Sequence, residues 1–500
     1  MANKRLHPMS IQIERGSNKE LTKADDEPLS PVARMLQAPK LDVCIIAVMG
    51  SKTTFDVDVL KRGLENTLIK HPRFSSLSVM KGHDVFDKKV WKRTKVNIDN
   101  HVIIPQIDLN MDSSSSDKFV DEYITHLTTR LMDFSKPLWE MHILNIKTSD
   151  ANAVIVFRVH HSIGDGVSLM NLLLACTRKS SDPQALPTLP QFKQPSISNS
   201  KTAIWRLLST MWTVILMLLN TFVDILLISA TTIFLKDTNT PIKGAAGVEL
   251  TPKLIVHRTV SLADIKLVKT AVNSTVNDVL LGVTEAGLSR YLNGRYAAES
   301  KQDEKEHKLG YLPKSIRLRA TLMVNIRPSP GIEELAEMMR NEGSAIKLGT
   351  KVGHILLPFE VTLHENPLSY IRSAKARIDR KKLSFESICA FYTGQYLLKL
   401  FGVKQAVSTL HGIVSSTTLS FSNVVGPKEE ISLFGHPLAY IAPSLYGLPQ
   451  ALVIHWQSYD DKMVLSLSVD PNVIPDPYKL ASDMESSLKL IKNAVMEMKS

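Results

Sequence analysis

The string Val159-His160-His161-Ser162-Ile163-Gly164-Asp165-Gly166 holds the residues best equipped for chemistry. It falls where an apolar run over Ala153–Val159, which reads as a strand covered on both faces, gives way to a helix predicted over Val167–Cys176. Adjacent histidines on an extended chain point to opposite faces, so only one of the two can serve a given cleft. An imidazole so placed can take a proton from a hydroxyl near neutral pH, because its unperturbed pKa is about 6.5. Asp165 can fix the turn by a hydrogen bond or an ion pair, and Gly164 and Gly166 permit a tight reversal with close backbone approach to a ligand. A zinc site built from His160, His161 and Asp165 is disfavoured, since neighbouring histidines rarely converge on one ion and no second ligand cluster follows. Ser162 lacks the G-x-S-x-G elbow of a nucleophilic serine. Taken alone, the string also fits two ordinary histidines at a strand end.

The elements that must position these residues alternate along the chain. Leu41–Met49 reads as a buried strand, and Asp56 as the cap of a helix carrying Val57, Leu60, Leu64 and Leu68 on one face, ended by His71-Pro72. Met111–Asp117 is a polar loop, followed by a helix from Lys118 to Met132 and a strand over Trp139–Ile146. Residues 1–26 are polar and read as disordered, with no apolar stretch of a secretory signal. An N-terminal domain is expected over 27–178. A linker over 179–203 carries Pro183, Pro187, Pro190 and Pro195, and an apolar segment over 204–236 follows it. A second domain is expected over 250–500, with a charged loop at Glu299–Lys308.

Five hundred residues exceed what one core usually organises, so two domains are the natural expectation. The net charge of +11 favours anionic partners such as acidic headgroups or phosphorylated substrates, unless it is simply a solvated basic surface. No zinc finger, RNA-binding motif or concentrated basic helix is visible, which argues against nucleic acid. Cys44, Cys176 and Cys389 lie far apart in apolar stretches, without the spacing of a disulfide framework or a zinc site.

Between Arg206 and Lys236 the only charge is Asp224. Leu207–Leu235 as one helix would measure about 43 Å at 1.5 Å per residue, more than the roughly 30 Å hydrocarbon core of a bilayer. Trp205, Trp212, Arg206 and Lys236 suit a membrane interface. Asp224 at mid-depth would cost about 2.5–3.5 kcal/mol, and Asn220 and Thr221 divide the run in two. A single crossing would also put His161 and everything after residue 240 on opposite sides of the bilayer. A hairpin, or a tilted element dipping into one leaflet, is therefore expected; a buried hairpin in a soluble core is the alternative.

The HHxxxDG pattern of His160–Gly166 resembles the signature of CoA-dependent acyltransferases related to chloramphenicol acetyltransferase. Pro137-Leu138-Trp139-Glu140, Asn277-Asp278-Val279-Leu280, Val324-Asn325-Ile326-Arg327-Pro328 and Ser422-Asn423-Val424-Val425-Gly426-Pro427 follow in an order that resembles the wax ester synthase/diacylglycerol acyltransferase family, particularly its plant branch. His71-Pro72-Arg73-Phe74 and Gln457-Ser458-Tyr459-Asp460 match as well, so the likeness runs from about Ser30 to the C-terminal helix. Val425 stands where the family often has proline, which alters loop stiffness more than chemistry. The DFGWG-type motif of plant acyltransferases acting on soluble metabolites is absent.

The resemblance implies an α/β fold of two chloramphenicol acetyltransferase-like domains, each a mixed sheet with helices, and an active-site tunnel between them. It implies transfer of a long-chain acyl group from acyl-CoA to a fatty alcohol, to diacylglycerol or to both, with no cofactor and no metal. His161 would be the general base, His160 and Gly166 would belong to the same catalytic motif, and Asp165 would hold the loop through an arginine, Arg327 or Arg158. Asn277, Asp278, Arg327, Ser422 and Asn423 would line the substrate site. Two of these motifs have plainer readings: Thr275–Asp278 fits a helix capping box, and Ser422–Pro427 ordinary turn chemistry. A catalytically silent lipid-binding protein of the same fold, and an acyltransferase for a soluble alcohol, are the competing functions. The membrane surface is the implied partner. The implied location is the endoplasmic reticulum membrane with the catalytic domains cytosolic, and the plasma membrane as a further site.

Overall fold

The computed structural model describes residues 26–81, 89–108, 111–190, 203–299, 310–326, 330–340 and 351–498. Two sheets dominate it. The Leu41–Met49 run forms the strand Cys44–Ser51, paired antiparallel with Ala153–His160, every residue of which is buried. Trp139–Leu144 flanks the second of these, giving a tract of three apolar strands with helices on their faces. Trp139 fixes this corner by donating its indole N–H to the Phe74 carbonyl at 3.0 Å. Behind it, Arg158 donates to Glu140 (3.2 Å) and to the Tyr446 hydroxyl (2.6 Å).

The first sheet has seven strands, in the order Val102–Ile103, Trp139–Leu144, Ala153–His160, Cys44–Ser51, His436–Tyr446, Ile431–Leu433 and Thr177–Lys179. Two of these come from the far end of the chain. The boundaries drawn at 27–178 and 250–500 therefore misplace residues 431–446, which hydrogen-bond into the N-terminal sheet. Strand pairing is non-local, and a strand's own pattern does not name its neighbour. The second sheet has six strands: Val352–Phe359, Leu318–Asn325, Leu419–Val424, Leu452–Tyr459, Lys462–Val469 and Leu254–Ser261. Helices Val276–Glu299, Leu368–Lys382 and Pro477–Glu497 contribute to its buried cluster.

Smaller departures have local causes. The Asp112 carboxylate accepts the Ser115 amide, so the serine run expected to be a loop is the first turn of the helix Ser113–Thr129. The helix capped by Asp56 stops at Asn66, and 3₁₀ turns lead to His71-Pro72. The expected disordered residues 1–25, most of the charged loop at 300–309 and much of the linker (191–202) lie outside the described residues.

The apolar segment is one helix, Ala203–Ile233, and not a hairpin. Asn220 and Thr221 do not break it because both find partners outside it. Asn220 donates to the Leu383 carbonyl (3.0 Å), and the Thr221 hydroxyl accepts the Phe385 amide (2.9 Å). Asp224 is fully buried against Arg380 (2.9 Å) and Lys381 (3.0 Å), and Lys381 continues to Glu386 (2.5 Å). Burial alone would raise the Asp224 carboxyl, but Ser384, Lys381 and Arg380 outweigh it and hold it below the usual carboxylate range. Arg319 ties down the helix end through Thr231 (2.5 Å), the Leu235 carbonyl (3.0 Å) and Asp237 (2.6 Å). Residues 204–215 have no such anchors among the described residues and are exposed on every side.

Candidate active site

His161 follows directly on the strand Ala153–His160, its backbone held by an N–H to the Val43 carbonyl at 2.9 Å. The turn beyond it closes when Asp165 caps the helix Gly166–Ala175, accepting the Ser168 amide at 2.9 Å. The two histidines separate as the alternation requires. His160 turns inward: its Nδ1 meets the Ser162 hydroxyl (2.7 Å), its Nε2 meets Asp42 (2.8 Å), and it has no exposed surface. It does not line the cavity, so the catalytic place the resemblance gave it is corrected to that of a brace behind His161. Asp42, Cys44 and His160 stand close enough to hold a metal ion. Burial, however, pushes the Cys44 thiol up to about 12, which disfavours the thiolate a metal would need.

His161 opens into a cavity of about 630 Å³, a size typical of small-molecule sites. The lining is overwhelmingly apolar and comes from both sheets. Ile45, Phe157 and Val159 stand on one side; Met323, Phe421 and Val424 stand on the other. The apolar helix supplies a further wall through Ile225, Ile228, Ser229, Thr232 and Ile233, one helical stripe. The kinked helix Glu386–Ser415 adds Phe391, Leu397 and Leu410. Burial lowers His161 below the usual 6.5 for an imidazole. Its own carbonyl, the Asp165 carboxylate and the Gly164 carbonyl partly offset this, while His160 adds to it. Nδ1 is buried and has no hydrogen-bond partner among the described residues.

The other expected site residues divide. Ser422 and Asn423 line the cavity, as do Asp165 and Gly166. A Cβ on Gly166 would meet nothing, and its φ is not in the left-handed region, so this glycine leaves space rather than enabling the turn. Asp165 has no arginine partner among the described residues, and its Oδ2 is buried without a hydrogen bond. Arg158 is committed to Glu140 and Tyr446, and Arg327 lies outside the described residues. Asn277 and Asp278 do not line the cavity. Asp278 accepts the Thr275 amide (2.8 Å) and donates its own amide to the Thr275 hydroxyl (3.2 Å), a capping box, which corrects their assignment as substrate-binding residues.

His354, His455 and Gln457 face the cavity and were not singled out as site residues by sequence reasoning. A signal for the last two existed. In Leu452–Tyr459, His455 and Gln457 alternate with Ile454 and Trp456, which marks a strand with one apolar and one functional face.

The chain matches the wax ester synthase/diacylglycerol acyltransferase catalytic domain over residues 39–280 and the WS/DGAT C-terminal domain over residues 348–492. It is 49% identical over 477 residues to wax ester synthase/diacylglycerol acyltransferase 11 of Arabidopsis thaliana, covering 95% of this chain and 96% of that one. To wax ester synthase/diacylglycerol acyltransferase 5 of the same plant it is 47% identical over 497 residues, covering 97% of each. Among solved structures, it resembles the wax ester synthase/diacylglycerol acyltransferase from Marinobacter aquaeolei VT8 with a TM-score of 0.56 at 15% identity, over 94% of this chain and 99% of that one. It also resembles the first condensation domain of the CDA synthetase with a TM-score of 0.55 at 10% identity, over 95% and 97% of the two chains. At such identities the structural likeness speaks for the two-domain α/β fold alone.

Proposed function

The chain belongs to the wax ester synthase/diacylglycerol acyltransferase family and is an acyltransferase, and from that premise we propose that His161 is the general base that esterifies a lipid alcohol with an acyl-CoA. The acceptor is a long-chain alcohol, giving wax ester, or diacylglycerol, giving triacylglycerol. One observation carries the reading: His161 opens into an apolar cavity walled from both halves of the chain. Burial keeps the His161 ring neutral, and a neutral imidazole has one basic nitrogen to offer the acceptor hydroxyl. The base draws the proton from the acceptor hydroxyl as that oxygen attacks the thioester carbonyl carbon. The C–S bond then breaks, and the imidazolium returns the proton to the leaving CoA thiolate. Both substrates must be bound together, and no acyl-enzyme forms. Nothing in this sequence is a redox step, so acyl-CoA is the only small molecule required besides the acceptor.

The test is direct. Purified protein is given labelled palmitoyl-CoA with hexadecanol or with diacylglycerol, and the lipids are separated. Wax ester or triacylglycerol is expected; neither product from either acceptor would end the proposal.

A pH profile checks the base. A histidine lowered by burial stays neutral further into the acid range, so the acid limb of kcat/KM should bend below 6.5. Activity is then retained above that limb and lost as pH falls through it. A limb well above 6.5 would mean that another group is titrating.

The protein acts, in this reading, at a membrane surface with both sheets on the cytosolic side, at the endoplasmic reticulum and also at the plasma membrane. Three features support it. Residues 204–215 present Trp205, Leu208, Met211 and Trp212 to solvent on all sides. Beside the docked half of that helix, the helix Glu386–Ser415 exposes Tyr392, Tyr396, Leu400 and Phe401, with Lys399 and Lys404 among them. Apolar surface on this scale marks an interaction site, and the interspersed cations suit anionic headgroups. The apolar helix lines the cavity with its C-terminal part and is exposed over its N-terminal part, which supports a lipid acceptor arriving along it. Wild-type protein should float with phosphatidylserine-containing vesicles. Leu208→Glu with Trp212→Glu, or Tyr396→Glu with Phe401→Glu, should cut the floated fraction at least about tenfold, because a charge carried into the hydrocarbon costs up to about 2.5–3.5 kcal/mol. Undiminished flotation of both double variants would place the contact elsewhere.

A further inference from the structure

The strand Leu452–Tyr459 carries His455 and Gln457 on one face. His455 and Gln457 turn toward the cavity, while Ile454 and Trp456 belong to the buried cluster of the second sheet. Its parallel neighbour, Leu419–Val424, sets Ser422 beside His455 and Val424 beside Gln457 in register. Ser422 and His455 are thus adjacent on the cavity face. His455 is 6% exposed, its Nδ1 has no hydrogen bond, and no bond to either ring nitrogen is found among the described residues. His160 has partners at both ring nitrogens, to Ser162 and Asp42. His455 instead presents an uncommitted ring to the space in which His161 stands.

We propose that His455 is a second catalytic imidazole of the transfer reaction, a neutral N–H donor from the second half of the chain that holds the thioester carbonyl oxygen as it becomes negative. The inference rests on the acyl-transfer reading above. When the acceptor oxygen bonds to the carbonyl carbon, the C=O electron pair moves onto oxygen, and His455 donates a hydrogen bond there without giving up its proton. The pair returns as the C–S bond breaks, and the thiolate takes its proton from His161. Ser422, beside His455, and Gln457 complete the polar lining of this wall.

The electrostatics separate the two histidines by role. Burial, reinforced by His161, takes His455 down to about 4, so it is uncharged at working pH and too weak a base to compete for the hydroxyl proton. A buried neutral imidazole is a competent electrophile for a developing oxyanion. His354, also taken by burial to about 4, shares the cavity. It stands on the edge strand Val352–Phe359, paired with Met323 and two strands away from Ser422, so it is the weaker candidate.

The experiment compares full-length wild type, His455→Phe and His455→Gln with palmitoyl-CoA and hexadecanol, with thermal melts to compare folding. Loss of one oxyanion donor should lower kcat by about 10²–10³-fold in His455→Phe, with KM within about threefold. His455→Gln, which keeps an N–H donor, should recover at least about tenfold of that loss. The acid limb set by His161 should stay in place. A His455→Phe enzyme within threefold of wild-type kcat, a loss confined to KM, or a glutamine variant no better than phenylalanine in a folded protein would overturn the assignment. Should the phenylalanine variant fail to fold, His455→Asn replaces it, and asparagine and glutamine both inactive though folded is the overturning result. A wild type that forms no ester overturns the parent reading, and this one with it.

Discussion

His161→Ala should lose about 10²–10⁴-fold in the rate of ester formation, the usual worth of a positioned general base, while the protein stays folded and still binds acyl-CoA. The structure makes this a clean substitution. The side chain lines the cavity and has no hydrogen-bond partner at Nδ1 among the described residues, so its removal breaks no brace there. Among the described residues no other imidazole is placed to replace it. His160 is committed at both nitrogens to Ser162 and Asp42. His354 and His455 are both taken by burial to about 4 and are poor bases at neutral pH. Single-turnover formation of labelled ester, measured beside acyl-CoA binding and a thermal melt, separates loss of chemistry from loss of fold. Product within a few-fold of wild type would remove His161 from the mechanism, whatever the cavity suggests.

The strand-to-turn site was legible because its determinants are local. The apolar run before His160, the paired histidines and the Asp165 cap lie within a dozen residues, and periodicity alone assigns one histidine to the cleft. What was not legible depends on contacts between distant segments. Nothing in His436–Tyr446 announces that it pairs with Cys44–Ser51 rather than within its own half. Asn277 and Asp278 were drawn into the substrate site by the resemblance, although the competing local reading, a capping box with Thr275, is what the structure contains. His455 carried a period-two signal, but the cavity it faces exists only once strands and helices from both halves enclose it. Asp224 was legible as a problem and not as a solution, because its partners Arg380 and Lys381 lie more than a hundred residues away.

That residue gives the second prediction, in which two topologies demand opposite signs. For a helix crossing a bilayer, replacing the mid-depth Asp224 with leucine would remove a penalty of about 2.5–3.5 kcal/mol and strengthen insertion. For the helix as it packs here, the same change breaks a buried ion network. Removing one partner of a buried pair costs about 3–5 kcal/mol, and the lower end applies because Lys381 keeps Glu386 and the partly exposed Arg380 can turn to water. About 3 kcal/mol is roughly a hundredfold shift toward an undocked helix. The consequence reaches the chemistry, since Ile225, Ile228 and Thr232 of that helix wall the cavity. Asp224→Leu should therefore speed proteolysis within residues 204–235 by about a hundredfold when cleavage tracks the open population, and lower ester formation in proportion to the fraction of molecules whose helix is undocked, because a breached wall admits water. An active Asp224→Leu enzyme with unchanged protease sensitivity would mean that Arg380 and Lys381 do not hold this helix. The one-leaflet placement would then lose its anchor.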